Sequence, residues 1–210
     1  MVIVTGGEVE QASLGSIRPE EDFVIGVDGG IPMLLETGLT PDLAVGDFDS
    51  AGQEIFERLG RMGVPIKRLP VEKDVTDTHF AVTEALKRGP ETLLLLGAIG
   101  TRLDHTLANL FLLEEMAREG VRGEILNRYN RIRLLRGGDS CRLEKGRFQY
   151  VSLLPLTDTV SGVTLTGFRY PLEEAVLRRR DSLGVSNELV AEEGEVSLRA
   201  GMLFVVESRD

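Results

Sequence analysis

The chain has 210 residues, a formal net charge of −10 at pH 7 and 42% hydrophobic residues. That hydrophobic content supports a folded core and excludes a disordered chain, while the negative charge argues against nucleic acid as a partner. One cysteine and two histidines exclude an intramolecular disulfide and a zinc site built from several thiolates or histidines. The sequence shows no signal peptide and no apolar run of about 20 residues, so we expect a cytoplasmic protein that does not enter a membrane.

Short apolar runs alternate with helical patterns in the first half of the chain. The apolar runs, typical of strands buried on both faces, occupy residues 2–5, 23–27, 43–45, 66–69 and 93–96. Helical patterns occupy residues 31–36, 52–62, 78–88 and 105–118. In the last of these, Leu107 and Leu110 are predicted to face the core. This alternation predicts an α/β domain over residues 1–121, with a parallel, Rossmann-like sheet covered by helices.

The pattern changes after residue 121. Short strand signals lie at residues 124–126, 131–135, 148–154, 163–166, 189–190, 195–198 and 203–207. Turns divide them, for example at residues 137–139, 157–158, 193–194 and 200–201. A helical turn is predicted around residues 172–176. Residues 122–210 are therefore predicted to form a second domain, an antiparallel β-sandwich.

Acids and glycines follow the second and third predicted strands. Asp28 is followed by Gly29 and another glycine, and Asp47 and Asp49 follow the strand that ends at residue 45. In an extended chain Asp47 and Asp49 would point to the same side, where two carboxylates favour a cation such as Mg²⁺. The alternative is a polar turn in which Asp49 or Ser50 caps the next helix.

A lysine and two acids precede the helix predicted at residues 78–88. Asp74 and Asp77 are three residues apart and can lie on one side of its first turn, with Lys73 within reach of a phosphate. The alternative is again helix capping, because acids stabilise a helix N-terminus. Since one cap needs one acid and this segment has two acids and a lysine, the pattern favours a functional site.

The fifth predicted strand ends in G-A-I-G-T-R-L-D-H, residues 97–105. Glycines at such a position let backbone N–H groups approach an anion, and Arg102 can bind phosphate oxygens through two parallel hydrogen bonds. His105 and Asn109 lie one helical turn apart and are predicted to face the site. For Asp104 alone, a helix N-cap is the favoured interpretation. Because the clusters follow parallel strands at the edge where open α/β sheets bind ligands, we expect one site.

These motifs resemble the thiamin pyrophosphokinase family. The resemblance is carried, in order, by D-G-G (28–30), P-D-L-A-V-G-D-F-D-S (41–50), K-D-V-T-D (73–77), G-A-I-G-T-R-L-D-H-T-L-A-N-L (97–110), F-R-Y-P-L (168–172) and G-V-S-N (184–187). It implies transfer of diphosphate from ATP to the hydroxyl of thiamin, with Mg²⁺, giving thiamin diphosphate and AMP. It also implies an ATP-binding α/β domain, a β-sandwich domain for thiamin binding and dimerisation, and a homodimer with active sites between subunits.

The same resemblance implies roles for the matching residues. Mg²⁺ would be held by Asp47, Asp49 and Asp77. The catalytic set would comprise these three acids and Arg102. The nucleotide or its metal would be bound by Asp28, Gly29, Lys73, Asp74, Arg102, Asp104, His105 and Asn109. The thiamin pocket would be lined by Ser186 and Asn187.

Two positions depart from the family pattern. Thr101 stands where a glycine is common, and a β-branched residue does not readily adopt a positive φ. Ile31 and Pro32 stand where the family often continues with alanine. Neither change removes a charged group from the predicted site.

Two other classes of protein stay open on the sequence alone. A D-x-D pair also serves Mg²⁺-dependent glycosyltransferases, and a non-catalytic nucleotide-binding dimer would need the same binding residues. The cluster at residues 73–77 and the separate β half argue against a glycosyltransferase.

Overall fold

The structure is a computed structural model that describes residues 1–48, 52–69 and 74–210. The chain folds into two compact units, Met1–Arg128 and Tyr129–Asp210. Within these described ranges, no helix is both long enough and apolar enough to cross a membrane.

The first unit alternates strands and helices, as the sequence predicts. Its strands are β1 (Val2–Val4), β2 (Val24–Val27), β3 (Leu43–Gly46), β4 (Ile66–Arg68), β5 (Thr92–Leu96) and β6 (Arg122–Leu126). Its helices are α1 (Gln11–Gly15), α2 (Gly30–Glu36), α3 (Gly52–Arg61), α4 (Asp77–Leu86) and α5 (Leu103–Arg118). The sequence does not predict α1, because five residues are too few to display a helical period.

The six strands of this unit are parallel, in the order β4-β3-β2-β1-β5-β6. Every residue of β1, β2 and β3 is buried, which is why their sequences are almost entirely apolar. The chain adds strands on one side of β1 as far as β4, and then adds β5 and β6 on the other side. Right-handed crossovers therefore place α1–α3 on one face of the sheet and α4 and α5 on the other.

Helix α5 buries a different stripe from the predicted one. Its buried residues are Asn109, Leu112, Leu113 and Met116. Leu107 is 44% exposed, so the prediction that it faces the core is wrong. The helix carries apolar side chains on both sides, and periodicity alone therefore does not identify the stripe that packs on the sheet.

The second unit contains seven antiparallel strands. They are β7 (Asn130–Arg136), β8 (Ser140–Glu144), β9 (Tyr150–Pro155), β10 (Thr159–Thr166), β11 (Leu172–Arg178), β12 (Glu193–Ser197) and β13 (Met202–Ser208). Strand β13 pairs with β7 and β9, and the other layer has the order β11-β10-β12-β8. Buried side chains of both layers, including Leu203, Val205, Val160 and Val196, form one apolar core. The predicted β-sandwich is confirmed.

Several local predictions for the second half differ from the structure. Residues 172–176 belong to strand β11 and form no helical turn. The strand is irregular, with a positive φ of 50° at Glu174 and register shifts in its pairing with β10. Its apolar residues therefore do not alternate as in a regular strand, and their spacing resembles that of a helix. Gly194, predicted in a turn, pairs with Leu143 of strand β8. The predicted strand at residues 189–190 is reduced to one bridge, between Leu189 and Phe168.

The predicted domain boundary at residues 121 and 122 separates β6 from the sheet to which it belongs. Strand β6 pairs in parallel with β5 over its whole length. The first unit consequently extends to Arg128.

A buried carboxylate ties α4 to the edge strand of the parallel sheet. Glu84 is only 4% exposed, and it accepts hydrogen bonds from Lys67 of β4 at 2.5 Å and from Lys87 at 2.7 Å. The bond from Lys67, followed by that from Lys87, lowers the pKa of the Glu84 carboxyl. Its charged form is therefore stabilised by folding.

We expect Glu84→Gln to lower the free energy of unfolding by about 2 kcal/mol near neutral pH, because charge-assisted bonds to a buried group are lost. A carboxyl whose pKa is lowered by folding stabilises the protein above its unfolded pKa of about 4.3, and this contribution disappears as pH falls through the lower folded value. The difference between the two proteins in urea unfolding should therefore shrink in acid. Glu57→Gln, at an exposed position of α3, is the control and should show neither effect. An equal loss at pH 7 and pH 3 would contradict this account.

Candidate active site

A cleft of about 640 Å³ lies at the carboxyl ends of β1, β2 and β5. The starts of α4 and α5 complete its walls. It is lined by Thr5, Gly6, Gly7, Glu8, Val27, Asp28, Gly29, Thr76, Asp77, Thr78, Gly97, Ala98, Ile99, Gly100, Thr101, Arg102, His105 and Asn109. The sequence predicts this edge of the sheet as the binding site, and the cleft lies there.

Three carboxylates meet at this edge of the sheet. Oxygens of Asp28, Asp47 and Asp77 all lie within 4.8 Å of one another, and all three residues are half-buried. Asp28 follows β2, Asp47 follows β3 and Asp77 begins α4, so strand ends far apart in sequence supply the group. Three negative charges at this spacing repel one another, and hard oxygen donors are the ligands that Mg²⁺ prefers. The donor set therefore fits a divalent cation.

The backbone holds the Asp28 carboxylate in place. Asp28 has a φ of 41°, its N–H donates to the carbonyl of Val45 at 3.0 Å, and its Oδ1 accepts from the N–H of Phe48 at 3.3 Å. A Cβ on Gly46 would lie 2.3 Å from this same Oδ1. Only glycine at residue 46 leaves room for the carboxylate between the two strand ends.

The observed acid group differs in membership from the predicted metal set. Asp47 and Asp77 belong to both, and Asp28, predicted to bind nucleotide or its metal, joins them. Asp49 and Lys73 lie outside the described residues. The argument that Asp47 and Asp49 share one side of a strand does not apply, because β3 ends at Gly46 and Phe48 has a φ of 65°.

At the start of α4, one residue caps the helix and a different residue faces the cleft. Thr76 is the N-cap residue, and its hydroxyl accepts from the N–H of His79 at 3.2 Å. Asp77 is consequently not needed as a cap, and it lines the cleft. Asp74 is exposed and does not line it.

The loop from β5 to α5 presents an arginine at the rim of the cleft. Arg102 is the N-cap residue of α5 but makes no side-chain cap, and Asp104 is the second residue of that helix, so the N-cap interpretation of Asp104 is wrong. The two exposed side chains form an ion pair, with Nη2 of Arg102 2.6 Å from Oδ2 of Asp104. This bond lowers the pKa of the Asp104 carboxyl and raises the pKa of the Arg102 guanidinium.

Two other residues of α5 behave differently from each other. His105 is exposed and lines the cleft, whereas Asn109 is buried and donates from Nδ2 to the carbonyl of Ala98 at 2.8 Å. Asn109 thus fixes the glycine-bearing loop. Thr101 does not adopt a positive φ, so its β-branched side chain imposes no strain on that loop.

The sequence-based prediction does not include the residues that form one wall of the cleft. Residues 5–8, the loop after β1, line it, although the sequence-based site begins at Asp28. The signal that could have found them is the pair Gly6-Gly7 directly after a buried strand, the same pattern that follows β2.

The residues predicted to bind thiamin lie in the second unit. Ser186 is exposed with a φ of 60°, and its N–H donates to the hydroxyl of Ser152 at 3.0 Å. Asn187 is buried, and its side chain both accepts from the N–H of Tyr170 at 3.1 Å and donates to the carbonyl of Tyr170 at 2.8 Å. The Asn187 amide therefore connects two segments of the sandwich.

The fold and the cleft define an α/β protein equipped for a divalent cation and an anionic ligand, with a separate β-sandwich. Two family models match the chain: "Thiamin pyrophosphokinase, catalytic domain" over residues 15–125 and "Thiamin pyrophosphokinase, vitamin B1 binding domain" over residues 140–203. The first model alone covers more than half of the chain.

Individual relatives agree with the family models. The thiamine pyrophosphokinase of Bacillus subtilis is 31% identical over 209 residues, which are 99% of this chain and 98% of the relative. A crystal structure of thiamine pyrophosphokinase from Bacillus subtilis superposes with a TM-score of 0.91 at 30% identity, covering 100% of this chain and 99% of that one. The structure from Geobacillus thermodenitrificans gives a TM-score of 0.86 at 34% identity, covering 100% and 98%.

The chain therefore belongs to the thiamin pyrophosphokinase family. The family, the fold class and the class of enzyme predicted from the sequence are confirmed. The glycosyltransferase alternative is not favoured.

Proposed function

We propose that this chain transfers the terminal diphosphate of ATP to the hydroxyl of thiamin, releasing AMP. The thiamin oxygen forms a bond to the β-phosphorus, and the bond from that phosphorus to the oxygen bridging to the α-phosphate breaks. AMP leaves with the bridging oxygen, and the hydroxyl proton passes to water. The observation that carries the proposal is the three-carboxylate group beside glycine-bearing loops, in a chain that matches both family domains. The ATP it requires is consistent with the cytoplasmic location expected from the sequence.

In this proposal Asp28, Asp47 and Asp77 hold Mg²⁺. When bound, the ion would neutralise charge on the phosphate oxygens. The chain contributes by keeping three carboxylates in fixed positions before the ligand arrives, through the backbone bonds of Asp28 and the cap at Thr76. Asp49 is proposed as a further ligand on the family resemblance alone.

Arg102 is proposed to contact the ATP phosphates. It lines the cleft and is well exposed, so a ligand can reach it without a change in the core. Phosphate oxygens would compete with Asp104 for the guanidinium, and a multiply charged phosphate chain is the stronger partner. Lys73 and Asp74 stay proposed contacts from the resemblance, and His105 and Gly29 are supported as contacts by their places in the cleft lining.

The second unit is proposed to bind thiamin. Ser186 is exposed and can contact a ligand directly, whereas the Asn187 side chain is bonded to the backbone of Tyr170. We therefore assign Asn187 a positioning role that fixes the strained backbone at Ser186. Both residues lie within the matched vitamin B1 binding domain.

The proposed reaction is tested by its products. We expect AMP and thiamin diphosphate to form in equal amounts, and only when ATP, thiamin and Mg²⁺ are all present. Release of a nucleoside diphosphate would indicate a different transferase. ATP binding without turnover of thiamin would indicate a non-catalytic nucleotide-binding protein, and either result would overturn the proposal.

The Asn variants of Asp28, Asp47 and Asp77 test the metal assignment. Each should lower kcat by on the order of 100-fold or more, equivalent to about 3 kcal/mol, because an amide does not replace a charged metal ligand. Mg²⁺ should raise the unfolding temperature of the parent more than that of the variants. Asp181→Asn, in the other unit, is the matched control; near-parental turnover in all three site variants would refute the assignment.

We also propose the homodimer that the family resemblance implies. Leu103, Leu107 and Phe111 form a stripe along α5 and are 67%, 44% and 54% exposed. In the second unit, Tyr170, Leu183 and Val190 are each at least 60% exposed. An exposed stripe of large apolar side chains such as that on α5 is typical of surfaces that bind another protein, and a two-fold dimer would give two equivalent active sites.

Sedimentation velocity tests the dimer. The parent protein should sediment as a dimer, and Phe111→Glu and Val190→Glu should each shift it towards the monomer, because a charge is costly in an apolar interface. Turnover should fall together with the dimer fraction if the active sites are shared. Met62→Glu, which changes an exposed methionine that follows α3 and belongs to neither group, should leave the dimer intact. A fully active monomeric parent would contradict the proposal.

A further inference from the structure

The loop after β1, residues 5–8, lies outside the region that the catalytic-domain family model matches. The catalytic-domain match begins at residue 15, and no motif of the family resemblance includes this loop. It nevertheless supplies four consecutive residues to the lining of the cleft: Thr5, Gly6, Gly7 and Glu8. These four residues are therefore in a position to contact a bound ligand.

The position of this loop in the sheet is special. Strand order reverses between β1 and β5, because β2–β4 lie on one side of β1 and β5 and β6 lie on the other. The chain leaves β1 towards one face of the sheet and leaves β5 towards the other, and both loops line the cleft. Open α/β sheets bind their ligands at this reversal point.

Hydrogen bonds to the β5 loop hold residues 5–8 rigidly. The N–H groups of Thr5, Gly7 and Glu8 donate to carbonyls of Leu96, Gly97 and Ile99 at 2.9, 2.9 and 3.0 Å. The Thr5 hydroxyl also donates to the Gly97 carbonyl at 2.9 Å.

Close contact with the β5 loop also requires glycine at residue 7. A Cβ at Gly7 would lie 2.2 Å from the Gly97 carbonyl oxygen, so no larger residue allows these bonds to form. The loop is thus fixed before any ligand binds, which lowers the entropic cost of binding.

Gly6 is the exception in this bonded run. It is exposed in the cleft wall, and within the part of the chain that the structure describes its N–H donates to no other group. Gly6 packs closely on Gly29: a Cβ added at residue 6 would lie only 3.2 Å from the Gly29 Cα. Gly29 directly follows Asp28 of the acid group, so the Gly6 amide stands close to the residues that fit a cation.

We propose that the Gly6 N–H binds a phosphate group of the nucleotide, and that the loop of residues 5–8 is a positioning element for ATP. This inference rests on the proposed function for its ligand. A fixed backbone N–H forms a short, charge-assisted bond with a phosphate oxygen, and it adds no positive side chain to the cleft. Beside the three acids, such a donor can hold a phosphate while the cation balances the carboxylates.

Amide NMR spectra of the parent protein test the contact directly. Inorganic diphosphate and AMP, each added with Mg²⁺, should shift the Gly6 amide strongly, and adenosine should not, because it lacks phosphate. If AMP acts and diphosphate does not, the bound group is the phosphate that stays with the product; the reverse result assigns the transferred diphosphate. A Gly6 amide unchanged by both phosphates at saturation would overturn the proposal.

A pair of variants adds a kinetic test. Gly6→Pro removes the N–H. A proline favours an extended conformation in the residue before it, and that residue, Thr5, directly follows strand β1. Gly6→Ala keeps the N–H and is the matched control for added bulk. Gly6→Pro should raise the KM for ATP at least tenfold over Gly6→Ala while the KM for thiamin changes little. Equal KM values for ATP would overturn the proposal, and should the proline variant not fold, the NMR titration decides.

The two proposals fail in different ways. Production of AMP together with an unresponsive Gly6 amide would refute this contact and leave the proposed function standing. A Gly6 amide that responds to diphosphate, in a protein that makes no AMP with thiamin, would retain the phosphate site and reject the reaction.

Discussion

Mutual repulsion among three carboxylates is the constraint on which the site depends. Asp28, Asp47 and Asp77 come within 4.8 Å of one another, and like charges at that distance destabilise a fold unless other contacts compensate. The compensation is visible in the backbone: Asp28 is held in a left-handed conformation by bonds to Val45 and Phe48, and Gly46 leaves it room. Burial of β1–β3 provides the rigid frame, so the fold keeps the three acids together at a spacing that fits a divalent cation.

Much of this arrangement could be predicted because parallel strands end at a common edge. Asp28, Asp47, Asp77 and Arg102 each follow a strand or begin a helix at that edge, and alternation of apolar runs with helical patterns is enough to place them there. The membership of the acid group could not be predicted. It depends on two positive φ values, at Asp28 and Phe48, and residue type gives little warning of these for amino acids other than glycine.

The other differences arise where one pattern allows two structures. Helix α5 has apolar residues on both sides, so its periodicity is equally consistent with burial of Leu107 or of Leu113; packing on β6 selects Leu113. The sequence of strand β11 resembles a helical turn because irregular pairing with β10 interrupts the alternation of apolar and polar residues. The family motif predicts Asn187 as a thiamin contact, and packing adds a structural role, because both ends of its amide bind the backbone of Tyr170. Tertiary contacts decide each of these cases.

The ion pair between Arg102 and Asp104 has a consequence for selectivity among anions. Because the guanidinium already has a carboxylate partner at 2.6 Å, a ligand that uses the Nε and Nη2 donors competes with Asp104 for them. Chloride and other weakly interacting monovalent ions are poor at this exchange, since they offer less charge and no paired oxygens. A chain of phosphates offers both. For the proposed role of Arg102, the pair therefore gives an advantage to ligands with several charged oxygens over monovalent ions, and the advantage is small because both side chains are exposed.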